Sequence, residues 1–167
     1  LKLDIVLKEL GGVPLNSEPC LYVWHDKNKQ MTLICSTHVD DFKICGEKGT
    51  VARLLKGLEE KVGKLKTAVR DFEHCGIMHA QSPDFKSIKI HQNHYVQQLS
   101  AIPLAKEQTL DNLCSNADAA SYMSLLGGVA WVVNTRTDIA IFVGALQRVA
   151  KSPKYVDIKR LNCVLKF

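Results

Sequence analysis

The residues with the most chemical potential in this chain are His38-Val39-Asp40-Asp41, set between the apolar runs Met31 to Cys35 and Phe42 to Cys45. Two adjacent carboxylates repel each other, so holding them together at a rigid bend is costly unless a divalent cation shares them. Magnesium, a hard ion that takes oxygen ligands, suits such a pair. Two such ions about 4 Å apart would flank an in-line displacement, activating a hydroxyl and stabilising a departing pyrophosphate. Acids are also common at hairpin tips for purely conformational reasons, and the dipeptide alone more often marks a plain polar turn.

The flanking sequence supplies the elements that would hold these acids. Cys20 to His25 is a short apolar run closed by the polar turn Asp26-Lys27-Asn28-Lys29, and Met31 to Val39 is rich in residues that favour strands. Phe42-Lys43-Ile44-Cys45 alternates and stops at Gly46, which places Asp40 and Asp41 at or beside the tip of a second hairpin. Val51, Leu54, Leu55, Leu58 and Val62 recur at helical spacing before Gly63, predicting an amphipathic helix over one sheet face.

Further along, Asp71 to His79 and Ser87 to His91 read as two strands around Gln81-Ser82-Pro83-Asp84, and a short helix is expected near Asn93. The stretch 101–117 has no clear period and reads as a linker. From Asp118 the spacing turns helical, with Tyr122, Leu125, Leu126, Val129 and Val133 marking one helix and Ile139, Phe142, Val143, Leu146 and Val149 the next. Pro153 ends the second, and Asp157 can cap a third that turns Ile158, Leu161 and Leu165 inward. On this stripe Trp131 and Tyr122 are expected in the core rather than as platforms for bases. Gly127-Gly128 is expected to permit close helix packing.

Composition bounds the rest. With 167 residues, 46% hydrophobic and 23% charged, the chain has the make-up of an ordinary globular protein, not of a disordered or collagen-like one. Leu125 to Val133, its longest nearly apolar stretch, is well short of the ~20 residues of a membrane span, so no membrane association is expected. Leu1-Lys2-Leu3-Asp4 has neither an initiating Met nor the pattern of a signal peptide, so the chain reads as cut from something longer. Its six cysteines form no CxxC pair, three lie in apolar runs typical of buried thiols, and an intracellular setting is favoured. His74-Cys75, His79 and His91-x-x-His94 match no structural zinc spacing. From Arg148 onward six basic residues face one acid, which accounts for the whole net charge of +5 and suits contact with a nucleic-acid backbone. Lys61, Lys64, Lys66 and Arg70 fit such contact or a solvated helix end equally well.

Several ordered motifs resemble those of copia-type retrotransposon reverse transcriptases. Cys20-Leu21-Tyr22 and His38-Val39-Asp40-Asp41 are similar to that family's D-x-C-L-Y and Y-V-D-D segments. Phe72-x-x-Cys75-Gly76-Ile77 resembles its F-L-G-I strand, and Ile90-x-Gln92-x-x-Tyr95-Val96 its I-x-L-x-Q-x-x-Y-I. Tyr122-x-Ser124-Leu125-Leu126-Gly127-Gly128-Val129-Ala130-Trp131 resembles Y-R-S-L-V-G-S-L-L-Y. Thr135-Arg136-Thr137-Asp138-Ile139-Ala140 is similar to T-R-P-D-I-A, and Arg160-x-x-x-x-Leu165 to the R-V-L-R-Y-L tail.

The resemblance implies an α+β fold: a partial reverse-transcriptase palm of antiparallel hairpins with a packed helix, followed by a helical thumb-like subdomain. Residues 1–100 would be the C-terminal half of the palm, 101–117 the linker, and 118–167 the thumb or start of the connection. It implies an RNA-directed DNA polymerase as the parent protein, with Asp40 and Asp41 as catalytic ligands of a two-magnesium site. His38, Val39, Phe72, Gly76 and Ile77 would meet the primer terminus, and Lys151, Lys154, Lys159 and Arg160 the nucleic-acid backbone. The implied partners are an RNA template, a DNA primer, a deoxynucleoside triphosphate, and the fingers and RNase H of the Pol polyprotein, within a cytoplasmic particle or the nucleus.

Among its departures from the family, this chain has His38 where the family has Tyr and Thr137 where it has Pro. The third carboxylate of a polymerase would come from an earlier strand. Asp4, in an expected helix, and Asp26, in a turn, are poor substitutes, so the fragment alone is expected to be inactive. A non-catalytic nucleic-acid-binding remnant and a decayed transposon fragment are the rival readings.

Overall fold

Alternation along the first strands decides which side chains the first sheet buries. In the computed structural model, which describes residues 2–167, helix α1 (Lys2–Glu9) precedes strands β1 (Val13–Pro14), β2 (Leu21–His25), β3 (Met31–His38) and β4 (Asp41–Gly46). They form one antiparallel sheet in the order β1-β2-β3-β4. Tyr22 opposes Cys35, which opposes Ile44, and Trp24 opposes Leu33, so these side chains share one face.

That face is covered by α2 (Lys48–Val62) through Leu54 and Leu58 and by Leu7 of α1. Leu7, Cys35 and Leu58 are fully buried, and each aliphatic side chain so placed contributes about 1.5–3 kcal/mol. As its spacing predicts, α2 stops at Gly63, whose φ of +95° disfavours side-chain-bearing residues. Polar groups at the core's edge are paired: Trp24 Nε1 donates to the Leu10 carbonyl (2.8 Å) and the Tyr22 hydroxyl to Asp4 Oδ1 (2.8 Å).

The chain falls into two compact units, one ending at Cys75 and the other running from Gly76 to Phe167. β5 (Asp71–His74) closes the first. The single strand expected over Asp71 to His79 is broken here, because Cys75 (φ 50°) and Gly76 (φ 72°) are both left-handed and make a turn. In the second unit β6 (Ile77–Gln81) pairs antiparallel with β7 (Ile88–His91), and α3 (Asn93–Val96) follows.

Helices α4 (Asn116–Val132), α5 (Ala140–Arg148) and α6 (Tyr155–Lys166) then form the second core, with Tyr122, Ile158 and Leu161 fully buried. The Tyr122 hydroxyl donates to the Leu146 carbonyl at 2.9 Å, and burial pushes its pKa up to about 12. A Cβ at position 128 would lie 2.8 Å from Leu99 Cδ2, so the Leu99 side chain would have to shift to admit one.

The caps follow elementary rules. Ser115 Oγ accepts the Asp118 N–H (3.1 Å) to start α4, and Asp157 Oδ2 accepts the Lys154 N–H (3.0 Å) to start α6. Segment 101–117 lacks helix and strand until α4 begins, yet it is strapped to α6. Ile102 exchanges two hydrogen bonds with the Asn162 side chain (2.9 and 2.7 Å), and the Val156 N–H donates to the Leu110 carbonyl (2.9 Å).

Three expectations are corrected here. Trp131, expected in the core, is 42% exposed: at 100° per residue it lies about 200° around the helix from buried Val129. Val132 rather than Val133 completes the buried stripe of α4. Among the six free cysteines only Cys35 is buried, because Cys20, Cys45 and Cys163 fall on solvent-facing positions. No helix of the described residues is long and apolar enough to cross a membrane.

Candidate functional site

The β3–β4 hairpin closes on a pair formed by His38 and Asp41, which leaves Val39 and Asp40 as its two turn residues. Val39 has φ 55° and is 85% exposed. A two-residue hairpin loop requires positive φ at one or both central positions, where glycine or asparagine is the usual solution. A β-branched side chain there is a genuine outlier, of order 1–3 kcal/mol in strain. The neighbouring strands hold it in place, with β3 paired to β2 on one side and β4 on the other.

Asp40 and Asp41 are both exposed at this tip, and neither carboxylate joins a hydrogen bond or ion pair among the described residues. They offer hard oxygen donors on consecutive residues, with open space for the water and phosphate oxygens that complete a magnesium shell. The donor chemistry therefore fits the ion. No group of three His, Cys, Asp or Glu side chains that could hold a metal occurs among the described residues, so this tip supplies two ligands and no third. His38, also exposed, ends β3 beside them.

Asp4 and Asp26, two other aspartates of the first unit, are committed elsewhere. Asp4 accepts from Lys8 Nζ (2.9 Å) and the Tyr22 hydroxyl, and the Lys8 hydrogen bond, with Tyr22 second, holds its carboxyl below the usual carboxylate range. Burial, and then the bond to Asp4, pushes the Tyr22 hydroxyl up to about 12. Asp26 Oδ1 accepts from the N–H groups of Asn28 and Gln30, both at 2.8 Å, and so closes the β2–β3 turn.

Phe72, Gly76 and Ile77 fall around the Cys75–Gly76 turn: Phe72 is half-buried in β5, and Ile77 begins β6. Lys151, Lys154, Lys159 and Arg160 are all exposed, between the end of α5 and the middle of α6. Arg160 Nη1 is tied to Asp157 Oδ1 at 2.9 Å, on a carboxylate side chain only 6% exposed. At the other candidate helix end Lys61 pairs with Glu9, which supports a structural use of that cation.

The chain matches no family model, no curated protein and no solved structure.

Two features of this landscape differ from what the sequence suggests. The strain at Val39 leaves no compositional trace, because valine is an ordinary strand residue. The exposure of Trp131 was legible in its angle on α4, which sets it apart from the buried stripe.

Proposed function

We propose that this chain is part of a copia-type reverse transcriptase, with residues 1–100 from the palm and 118–167 from the thumb or connection. In this reading the parent enzyme extends a DNA primer on an RNA template by magnesium-dependent nucleotidyl transfer, inside the cell. The observation that carries the reading is the acid pair Asp40–Asp41, exposed and unpartnered at a hairpin tip whose preceding residue is strained. Strained backbone of this kind clusters at functional sites.

Asp40 and Asp41 would hold magnesium, which lowers the barrier to attack by the primer hydroxyl and stabilises the leaving pyrophosphate. The chain's own contribution is to fix two carboxylates on rigid strands, with His38 and Val39 beside the primer end. Phe72, Gly76 and Ile77 would bear on the primer strand, and the exposed Lys151, Lys154 and Lys159 on the duplex backbone. Arg160, already tied to Asp157, would add less.

A second reading, a nucleic-acid-binding remnant without chemistry, is favoured by the lack of a third carboxylate beside the pair among the described residues. It keeps the basic C-terminal helix and drops the metal.

A manganese titration followed by NMR separates the two. Polymerase ancestry predicts that amide signals of Val39, Asp40, Asp41 and Phe42 broaden before all others, and that the double change Asp40→Asn, Asp41→Asn removes this preference. Broadening spread evenly over the acidic surface would refute the metal assignment.

A further inference from the structure

Helices α5 and α6 leave an apolar groove of about 650 Å³ between them. Its walls are two helical stripes, Phe142, Ala145 and Val149 on α5 and Val156, Cys163 and Phe167 on α6. Each set repeats at helical spacing, so each forms one face of its helix. Phe142 is 50% exposed and Phe167 73%, and their rings lie 6.4 Å apart at a tilt of 58°. Val143, Ile158 and Leu161 turn away into the core, while buried Leu146 and half-buried Val164 floor the groove, which opens from the core onto the surface.

Lys159 and Arg160 line the groove, and the segment that carries them is strongly basic. All of the chain's net charge of +5 resides between Arg148 and Phe167. The single acid there, Asp157, is satisfied by Arg160 and the Lys154 N–H. Arg148, Lys151, Lys159 and Lys166 are exposed and form no ion pair among the described residues. A phosphate backbone would use these cations but leave the rings of Phe142 and Phe167 in water. An amphipathic helix with an apolar stripe and acidic flanks satisfies both features, and a groove between two helices is the shape that receives a third.

We propose that the α5–α6 groove is a docking site for an acidic amphipathic helix of a partner protein. The apolar stripe of that helix would cover Phe142, Val149 and Val156, and its acids would face Arg148, Lys151, Lys159 and Lys166. This inference shares Lys151 and Lys159 with the duplex contact proposed above but uses neither Asp40 nor Asp41, so its failure leaves the metal assignment standing.

The test uses the 167-residue chain and a fluorescein-labelled peptide of ~18 residues, long enough to form a helix on binding, with leucines at helical period and glutamates between them. A second peptide carries lysine in place of glutamate. The glutamate peptide is expected to bind at least about tenfold more tightly than the lysine peptide, and Phe142→Ser or Lys159→Glu to weaken it by a similar factor. Circular dichroism of both variants should match the parent, since both side chains face solvent. Equal binding of both peptides, or indifference to Phe142→Ser, would overturn the proposal. So would a chain that dimerises through this groove and ignores the peptide.

Discussion

Asp157 in the second unit and Asp40 in the first are both acids beside a turn, yet their surroundings are opposite. Asp157 is 4% exposed; one carboxylate oxygen holds Arg160 and the other caps α6. Asp118 is bound by Ser115 and Tyr155, and Asp138 by a two-pronged contact with Arg136. In the helical unit, each of these carboxylates is held by the architecture it stabilises. Asp40 and Asp41 have no such partner, and the Val39 backbone before them is strained. Acids that build a fold are neutralised by it, whereas a pair kept open at a strained tip contributes nothing visible to stability. In the proposed reading, such a pair would be free to hold a cation supplied from outside the chain.

The contrast breaks most readily under substitution. Ile158→Ala, which empties a fully buried site in the helical core, is expected to cost about 2–5 kcal/mol by denaturant unfolding. Asp40→Asn should stay within about 0.5 kcal/mol of the parent, as an exposed change without partners does. A loss above about 1 kcal/mol for Asp40→Asn would make that acid structural and erase the distinction.

A smaller effect sharpens the partnered side. Ser115→Ala removes the cap of α4 and is expected to cost about 1 kcal/mol. The Ser115 hydroxyl, with Tyr155 second, lowers the Asp118 pKa from its ordinary 3.8. A carboxyl depressed in the folded state stabilises fully above its unfolded value, and that contribution is lost as pH falls through the folded value. Stability measured from pH 5 down to about pH 2 should therefore fall less steeply in Ser115→Ala than in the parent. Equal slopes would remove Asp118 from the set of structurally committed acids.

A change at the tip itself has the opposite sign. Val39→Gly relieves the left-handed strain but adds backbone freedom to the unfolded chain, for a net gain of about 0.5–1 kcal/mol. Thermal unfolding would register it as a higher midpoint. A lower midpoint would show that the valine side chain packs at the tip rather than being strained there.

How much of this was legible beforehand depends on what each feature is made of. The hairpins around His38 to Asp41, the Gly63 stop and the Asp157 cap rest on periodicity and local chemistry, and they occur where spacing places them. The Cys75–Gly76 turn was hidden because cysteine is not a turn residue and a lone glycine does not by itself interrupt the strand read across 71–79. The straps from 101–117 to Asn162 and Tyr155 join residues far apart in sequence, which no local window can pair. At the candidate site the acids were visible as a dipeptide. Their lack of partners is a property of the surface around them and emerges only in three dimensions.

Primer extension by the parent reading frame, on an RNA template with magnesium, tests the central claim most directly. Asp40→Asn is predicted to abolish extension while the protein keeps its fold and its affinity for RNA–DNA hybrid, since in the proposed reading the carboxylate would hold metal and not structure. Extension by that variant at the parent's rate would contradict the account.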